Sequence, residues 1–441
     1  MSRERDRIAK RMERNPVAEC NKIQKKFYPE LFMKFGQVID PRHSSYIDYS
    51  SKVMLGTVYY KGIAGISSMQ EMTRAFNDET VAGNLYRFMG EEAKEYLPHG
   101  VTVNEFLERL DPLELEKIQA NIVYRMIRRK TFDEAKVLSR WLVLVDGSEL
   151  DEGNTQKNEN YLSRSYNKGT ENEFTKYHRS ILEAKIYFGN NLVCSMVTET
   201  IENTAEYNAK KLSEEEIKQD CESKAFVRLA AKLKKRFPRL PICIVADGLY
   251  VSEKVMKICE EYGWDYIIRY KEGCAPSIEE EYRAIPEKNE VGKAEYINGI
   301  TYRDMEVNVL KYRETKIKKG APVTTEFAWI TSIKITNRNA KKLVEAGRNR
   351  RKIENQGFNR QKRWQGDIEH ACSFHEKAQK NHYLLEQISD FMKQLYEYFY
   401  LKKNEIKKAQ KNISSELLAS FGWQLTETED IPAQLNKSVL N

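Results

Sequence analysis

Three acidic residues lie far apart in the chain, each where regular structure could present it to one site: Asp146, Asp247 and Glu354. Asp146 ends the apolar run Trp141-Leu-Val-Leu-Val-Asp146, and Asp247 ends a second, Pro241-Ile-Cys-Ile-Val-Ala-Asp247. A carboxylate at the end of a buried strand is costly to desolvate without a partner. Glu354 sits in the basic, helix-like stretch Arg350-Arg-Lys-Ile-Glu-Asn-Gln-Gly-Phe-Asn359. Arg350 and Glu354 are spaced i, i+4 and share a helix face. Hard divalent cations such as Mg²⁺ or Mn²⁺ take carboxylate oxygens together with substrate phosphates. Arginine grips phosphate with both prongs of its guanidinium. These residue types together point to a metal site that handles a polyanion.

Other readings compete for each residue. Asp146-Gly147 and Asp247-Gly248 also resemble turn dipeptides. Glu149, Glu199, Glu202 and Asp265 are rival carboxylates, and Glu202, just past a strand, is the foremost. Arg350, Arg351, Lys352, Arg360, Lys362 and Arg363 are candidates for gripping a DNA backbone; the alternative is a solvated surface of salt bridges. Tyr250 and Trp364 could stack on an unpaired or flipped base, or could be core aromatics. His370, Cys372 and His375 do not have the spacing of a structural zinc site.

The elements that must position these residues are visible in the periodicity. Strands are expected at 141–146, 181–188, 192–199, 241–246 and 266–270, with Gly189-Asn-Asn191 as a hairpin turn. A charged helix is expected at 213–236, ending before Pro238, and another at 252–262, closed by Gly263. The order is β, β–β hairpin, α, β, α, β: a mixed sheet with helices packed on it. In such sheets ligands meet the carboxyl ends of strands. Residues 50–135 read as helical. Residues 275–345 hold strand-like pieces at 301–312 and 326–335 with a turn at Lys318-Lys-Gly-Ala-Pro322. Residues 380–404 form an amphipathic helix whose stripe of Leu384, Leu385, Ile388, Met392, Leu395, Tyr396 and Phe399 reads as core.

Composition sets the outer bounds. The 441 residues carry a net charge of +8, with 41% hydrophobic and 31% charged residues. That is enough for several domains, and it permits a nucleic-acid partner without requiring one. The seven cysteines are scattered with no CxxC pair, as in a reduced, cytosolic protein. The charged start Met1-Ser-Arg-Glu-Arg-Asp-Arg7 is unlike a signal peptide, and no apolar run approaches the roughly 20 residues of a membrane span.

The stretches Leu144-Val-Asp-Gly-Ser-Glu149, Ile244-Val-Ala-Asp-Gly-Leu-Tyr250 and Arg351-Lys-Ile-Glu-Asn-Gln-Gly-Phe-Asn359 resemble those of bacterial DDE transposases of the IS4-type superfamily. The resemblance covers roughly 140–400. It implies an α/β, RNase H-like catalytic core with flanking helices, a β-rich insertion before the last catalytic helix, and a helical N-terminal region. Asp146, Asp247 and Glu354 then become the catalytic and metal-binding triad, holding two Mg²⁺ or Mn²⁺ ions. The implied layout is a basic segment at 1–45, a helical DNA-end-binding region at 46–138, the first part of the core at 139–274, the insertion at 275–340, the second part of the core at 341–405 and a C-terminal tail at 406–441. The family signature around the Glu places a Tyr where Gly347 stands and a Lys where Gln361 stands, with Lys362 one place later. The implied activity is metal-dependent cleavage at insertion-sequence ends and strand transfer into target DNA. The implied partners are double-stranded DNA, both element ends and target, and further copies of the chain in a homodimer or higher complex on DNA. No membrane and no small-molecule substrate are expected, and the expected place is the bacterial cytoplasm, with the nucleoid. Two alternatives are an RNase H-like nuclease without strand transfer and an inactive DNA-binding relative.

Overall fold

The computed structural model describes residues 14–203, 220–271, 273–318 and 321–425. The first seven expected residues of the charged helix, 213–219, and the centre of the expected turn, 319–320, lie outside the described residues. So do the first 13 residues and those after 425.

The chain divides into two compact units. The first gathers residues 1–129, 149–179 and 358–441. Its N-terminal helices are α1 (Pro16–Phe27), α2 (Leu31–Gly36), α3 (Ser51–Ala64), α4 (Met69–Phe76), α5 (Glu79–Met89), α6 (Gly100–Arg109) and α7 (Pro112–Ile127). Their ends follow capping rules. Ser50 accepts the Val53 N–H at the start of α3, and Gly65 closes it in the left-handed region at φ 70°. The second unit comprises residues 130–148 and 180–357.

The sheet strands are β1 (Trp141–Gly153), β2 (Leu162–Tyr166), β3 (Phe174–Tyr187), β4 (Val193–Ile201), β5 (Ile242–Ala246), β6 (Asp265–Tyr270), β7 (Asn289–Val291), β8 (Ala294–Tyr302), β9 (Met305–Lys318) and β10 (Ala321–Thr331). The strand order is β2-β3-β1-β5-β6-β10-β9-β8-β7, with β4 also paired to β3. The remaining helices are α8 (Glu222–Arg236), α9 (Glu253–Tyr262), α10 (Pro276–Ala284), α11 (Ala340–Arg348), α12 (Asn359–Arg363), α13 (Glu376–Tyr396) and α14 (Gln410–Ser420). This is the expected α/β, RNase H-like mixed sheet: β1, β5 and β6 run parallel, and α8 and α9 cover it.

The β3–β4 turn at Gly189-Asn-Asn191 uses positive φ at all three residues, which Gly and Asn tolerate. The insertion does not stand apart from the core, because β10 pairs antiparallel with β6 and so extends the sheet. The stretch 301–312, read as one strand, contains a reversal: β8 ends at Tyr302, Arg303 takes φ 55°, and β9 starts at Met305.

In the first unit α13 is the central helix, packed on α1, α3, α6 and α7. Its apolar stripe from Leu384 to Tyr396 is buried as expected, while Phe399 falls in a π-helical turn, Glu397–Leu401, beyond the helix end and is half-buried. The polar face of the helix is buried too. Arg360 ion-pairs with both Asp390 and Glu397, and Lys393 donates to Ser414 Oγ at 2.7 Å. The stretch read as a C-terminal tail contains α14, held by Ile413, Leu417 and Phe421 and packed on α1 and α3.

Candidate active site

Buried parallel strands bring the two aspartates together. Residues Trp141 to Val145 of β1 and Ile242 to Ala246 of β5 are fully buried, as strands covered on both faces must be. The register pairs Leu144 with Val245, so Asp146 and Asp247, each two residues further on, stand at the same height. Asp247 also caps a single 3₁₀ turn, Gly248–Tyr250, by accepting the Leu249 N–H at 2.9 Å. Glu354 comes from a π-helical turn, Ile353–Phe358, shortly after α11 ends. Such turns widen the helix and re-aim a side chain, and they recur at functional sites.

One guanidinium gathers all three acids. Arg350 Nη2 donates to Asp146 Oδ1 at 2.8 Å and reaches Asp247 Oδ2 at 3.5 Å, while Nη1 is 3.4 Å from Glu354 Oε2. Asp146 is the most enclosed of the three and Glu354 is half exposed. Burial pushes the Asp146 carboxyl up to about 7. Arg350 opposes that rise, and the charges of Asp247, Glu222 and Glu354 add to it.

Glu222 is the member that sequence reasoning missed. It opens α8, and Tyr250 Oη donates to its Oε2 at 2.8 Å. Its carboxylate lies against Gly147, where any side chain would collide with it. The glycine at 147 leaves this space to the Glu222 carboxylate, which a Cβ there would force to shift. Nothing singles it out in a stretch that also holds Glu214, Glu215, Glu216 and Asp220.

The basic and aromatic candidates separate on inspection. Arg351 is exposed, and Lys352 is half-buried with its ammonium 2.5 Å from Asn191 Oδ1. Arg360 is not a DNA contact: it is buried and committed to Asp390, Glu397 and Gln410. Tyr250 is not a stacking platform, since it is buried with its hydroxyl on Glu222 and its ring 5.7 Å from that of Phe226. In the first unit, the Lys362 ammonium donates to the Glu149 carbonyl and pairs with Glu369, while Arg363 and Trp364 are exposed. Gly347 cannot host the Tyr of the family signature, because the buried Trp329 indole fills the space where a Cβ would go. Three rival carboxylates have cationic partners: Glu199 with Arg228 and Lys232, Glu149 with Arg164, and Asp265 with Arg140. The backbone N–H of Glu202 bonds Asp220 Oδ2.

Residues 218–385 match the family profile of the transposase DDE domain. The match supports a transposase of the DDE type. It includes Glu222, Asp247, Arg350 and Glu354, while Asp146 precedes it. No curated protein matches the chain. Among the described residues, no helix is long and apolar enough to cross a membrane.

A transposase DDE domain implies a divalent cation, and the donors present suit one. All are hard carboxylate oxygens, and one guanidinium faces at least three of them. The upward shift of Asp146 reflects the uncompensated part of that negative charge as well as burial. Among the described residues, no group of three or more His, Cys, Asp or Glu is already drawn close enough to hold an ion, because Arg350 stands between the acids.

Proposed function

We propose that the chain is a DNA transposase that cuts at the ends of its element and joins them to target DNA, acting as a dimer or higher complex on DNA. The observation that carries this reading is the convergence of Asp146, Asp247 and Glu354 on Arg350, on a sheet of RNase H-like order. Asp146, Asp247 and Glu354 would hold the metal. When bound, two divalent ions supply activation of the attacking oxygen and stabilisation of the leaving oxygen.

The protein's own groups do the rest. The N–H of Leu249 fixes one oxygen of Asp247 and leaves Oδ2 turned toward Arg350. Asp146 must give up the proton it holds below about pH 7 before it can serve as a ligand. Once the acids are engaged elsewhere, Arg350 is free to turn its fork to a phosphate.

The test uses the full chain and a plasmid carrying the gene's own flanking DNA, with Mg²⁺. Cleavage at the flanks, followed by joining of the freed 3′ ends to a second plasmid, is expected. Asp146→Asn, Asp247→Asn and Glu354→Gln should each lower cleavage by at least about 100-fold while leaving DNA binding intact. Full activity in any variant removes that residue from the triad. Cleavage without joining would instead favour an RNase H-like nuclease.

A further inference from the structure

The acid cluster has a basic neighbour that the triad does not explain. A pocket of about 260 Å³ beside Asp247 is lined by Arg269, Lys271, Phe327, Arg348, Arg350 and Arg351. Five cations thus face a single lining carboxylate. Arg348 is offset by Glu314 at 3.1 Å, and Arg350 by the three acids. Arg269, Lys271 and Arg351 have no acidic partner within ion-pair distance among the described residues. The Nε atoms of Arg269 and Arg350 are buried with no hydrogen-bond partner there. Buried donors left unmade are costly and rare, so each needs a reason.

The pocket offers charge rather than a stacking surface. The guanidinium carbons of Arg269 and Arg348 each lie 4.9 Å from the Phe327 ring centre, and the Trp329 ring is nearly parallel to it at 6.0 Å. The aromatic face is therefore already engaged, and it holds two guanidinium planes in place. Rigid forks with open donors suit a tetrahedral oxyanion.

We propose that this pocket binds a backbone phosphate of the DNA strand, adjacent to the phosphate that reacts at the carboxylates, with Arg269, Lys271 and Arg351 as its ligands. The inference rests on the proposed transposase reading. Acids with metal take the reacting phosphate and the basic pocket takes its neighbour, so two fixed points set the strand's direction through the site.

The experiment needs neither metal nor cleavage. Thermal melting of the full chain is compared with and without sodium pyrophosphate at matched ionic strength. Binding of a labelled random-sequence duplex is then measured against NaCl concentration. Pyrophosphate should raise the wild-type melting temperature, and Arg269→Ala, Lys271→Glu and Arg351→Ala should lose most of that rise. Arg269→Ala and Arg351→Ala should each also lower the slope of log affinity on log salt by about one unit, and the charge reversal Lys271→Glu by at least as much. Lys271 and Arg351 are exposed, so their variants test the pocket even if Arg269→Ala folds poorly. Arg269→Lys should keep the salt slope but lose part of the pyrophosphate effect. The proposal is overturned if pyrophosphate leaves the wild type unmoved, if Lys271→Glu and Arg351→Ala keep the full shift, or if their salt slopes are unchanged. The reading of the acids fails separately, on whether Asp146→Asn removes metal-dependent cleavage, which neither measurement here reports.

Discussion

Arg350 donates to Asp146 at 2.8 Å, and this contact joins the middle of the first core strand to the segment that carries Glu354. The same guanidinium serves Asp247 and Glu354, so a +1 group stands where the proposed chemistry would place a divalent cation. A cation that binds the acids must compete with it.

The first prediction follows from that competition. Arg350→Ala removes the main influence that holds the Asp146 carboxyl down against burial, so its pKa should move higher still. Well above that pKa, Mg²⁺ meets no rival. The rise in melting temperature on adding Mg²⁺ should therefore be larger in Arg350→Ala than in the wild type. An equal or smaller rise would mean that Arg350 positions the acids for metal instead of holding their place.

Asp146 gives a second prediction, on pH. Its folded pKa of about 7 lies above the ordinary value of 3.8, so folding favours the protonated form. That stability is fully present below pH 3.8 and is lost as pH rises through about 7. Without metal, melting temperature should fall across that window, and Asp146→Asn should flatten the fall. Metal binding has the opposite sign, because the ligand is the carboxylate. Mg²⁺ affinity should climb with pH up to about 7 and level off above it. Calorimetric titrations at several pH values would show a flat profile if the proton on Asp146 is irrelevant.

The parts of this site that were readable in the sequence are those where one residue type announces its environment. Five apolar residues ending in Asp mark a buried stretch of strand that delivers a carboxylate: Asp247 directly follows β5 as expected, whereas β1 does not end at Asp146 but runs on to Gly153. The Arg350–Glu354 spacing is local and survives as a contact at 3.4 Å. Arg360 and Tyr250 misled because their partners are distant in sequence. Asp390 and Glu397 lie 30 and 37 residues beyond Arg360, and Glu222 lies 28 before Tyr250. A charged or aromatic residue looks available until the residue that buries it is known. The role of Gly147 was equally hidden, since only the fold shows that Glu222 needs the space.

Arg360 carries a third prediction, about stability. It is one of the most buried arginines in the first unit, shared between Asp390 and Glu397. Removing it leaves two buried carboxylates without their cation, a loss of about 3–5 kcal/mol for a broken buried pair. Arg360→Ala should lower the melting temperature sharply or prevent folding. Any soluble fraction should show the wild-type salt dependence of DNA binding, because the side chain faces no solvent. A stable Arg360→Ala with a reduced salt slope would return this residue to the DNA-contacting set.

The last prediction concerns Gly347, where two effects of opposite sign can be weighed. Gly347 lies within α11 with an ordinary helical backbone, so alanine there should favour the helix by about 1 kcal/mol. Against that, an added Cβ would run into the Trp329 indole, which is buried and fixed between β6 and β9 on the sheet. Overpacking of this kind costs about 1–3 kcal/mol, so the clash should win and Gly347→Ala should be destabilising. In a Trp329→Leu background the obstruction is gone and only the helical preference remains. Gly347→Ala should then become neutral or stabilising, a coupling within the roughly 0.5–3 kcal/mol range seen for residues in contact. Denaturant melts of the four proteins in the cycle measure it. Additive effects would show that Trp329 can move aside, and then space alone would not explain why this chain lacks the tyrosine its resemblance calls for at 347.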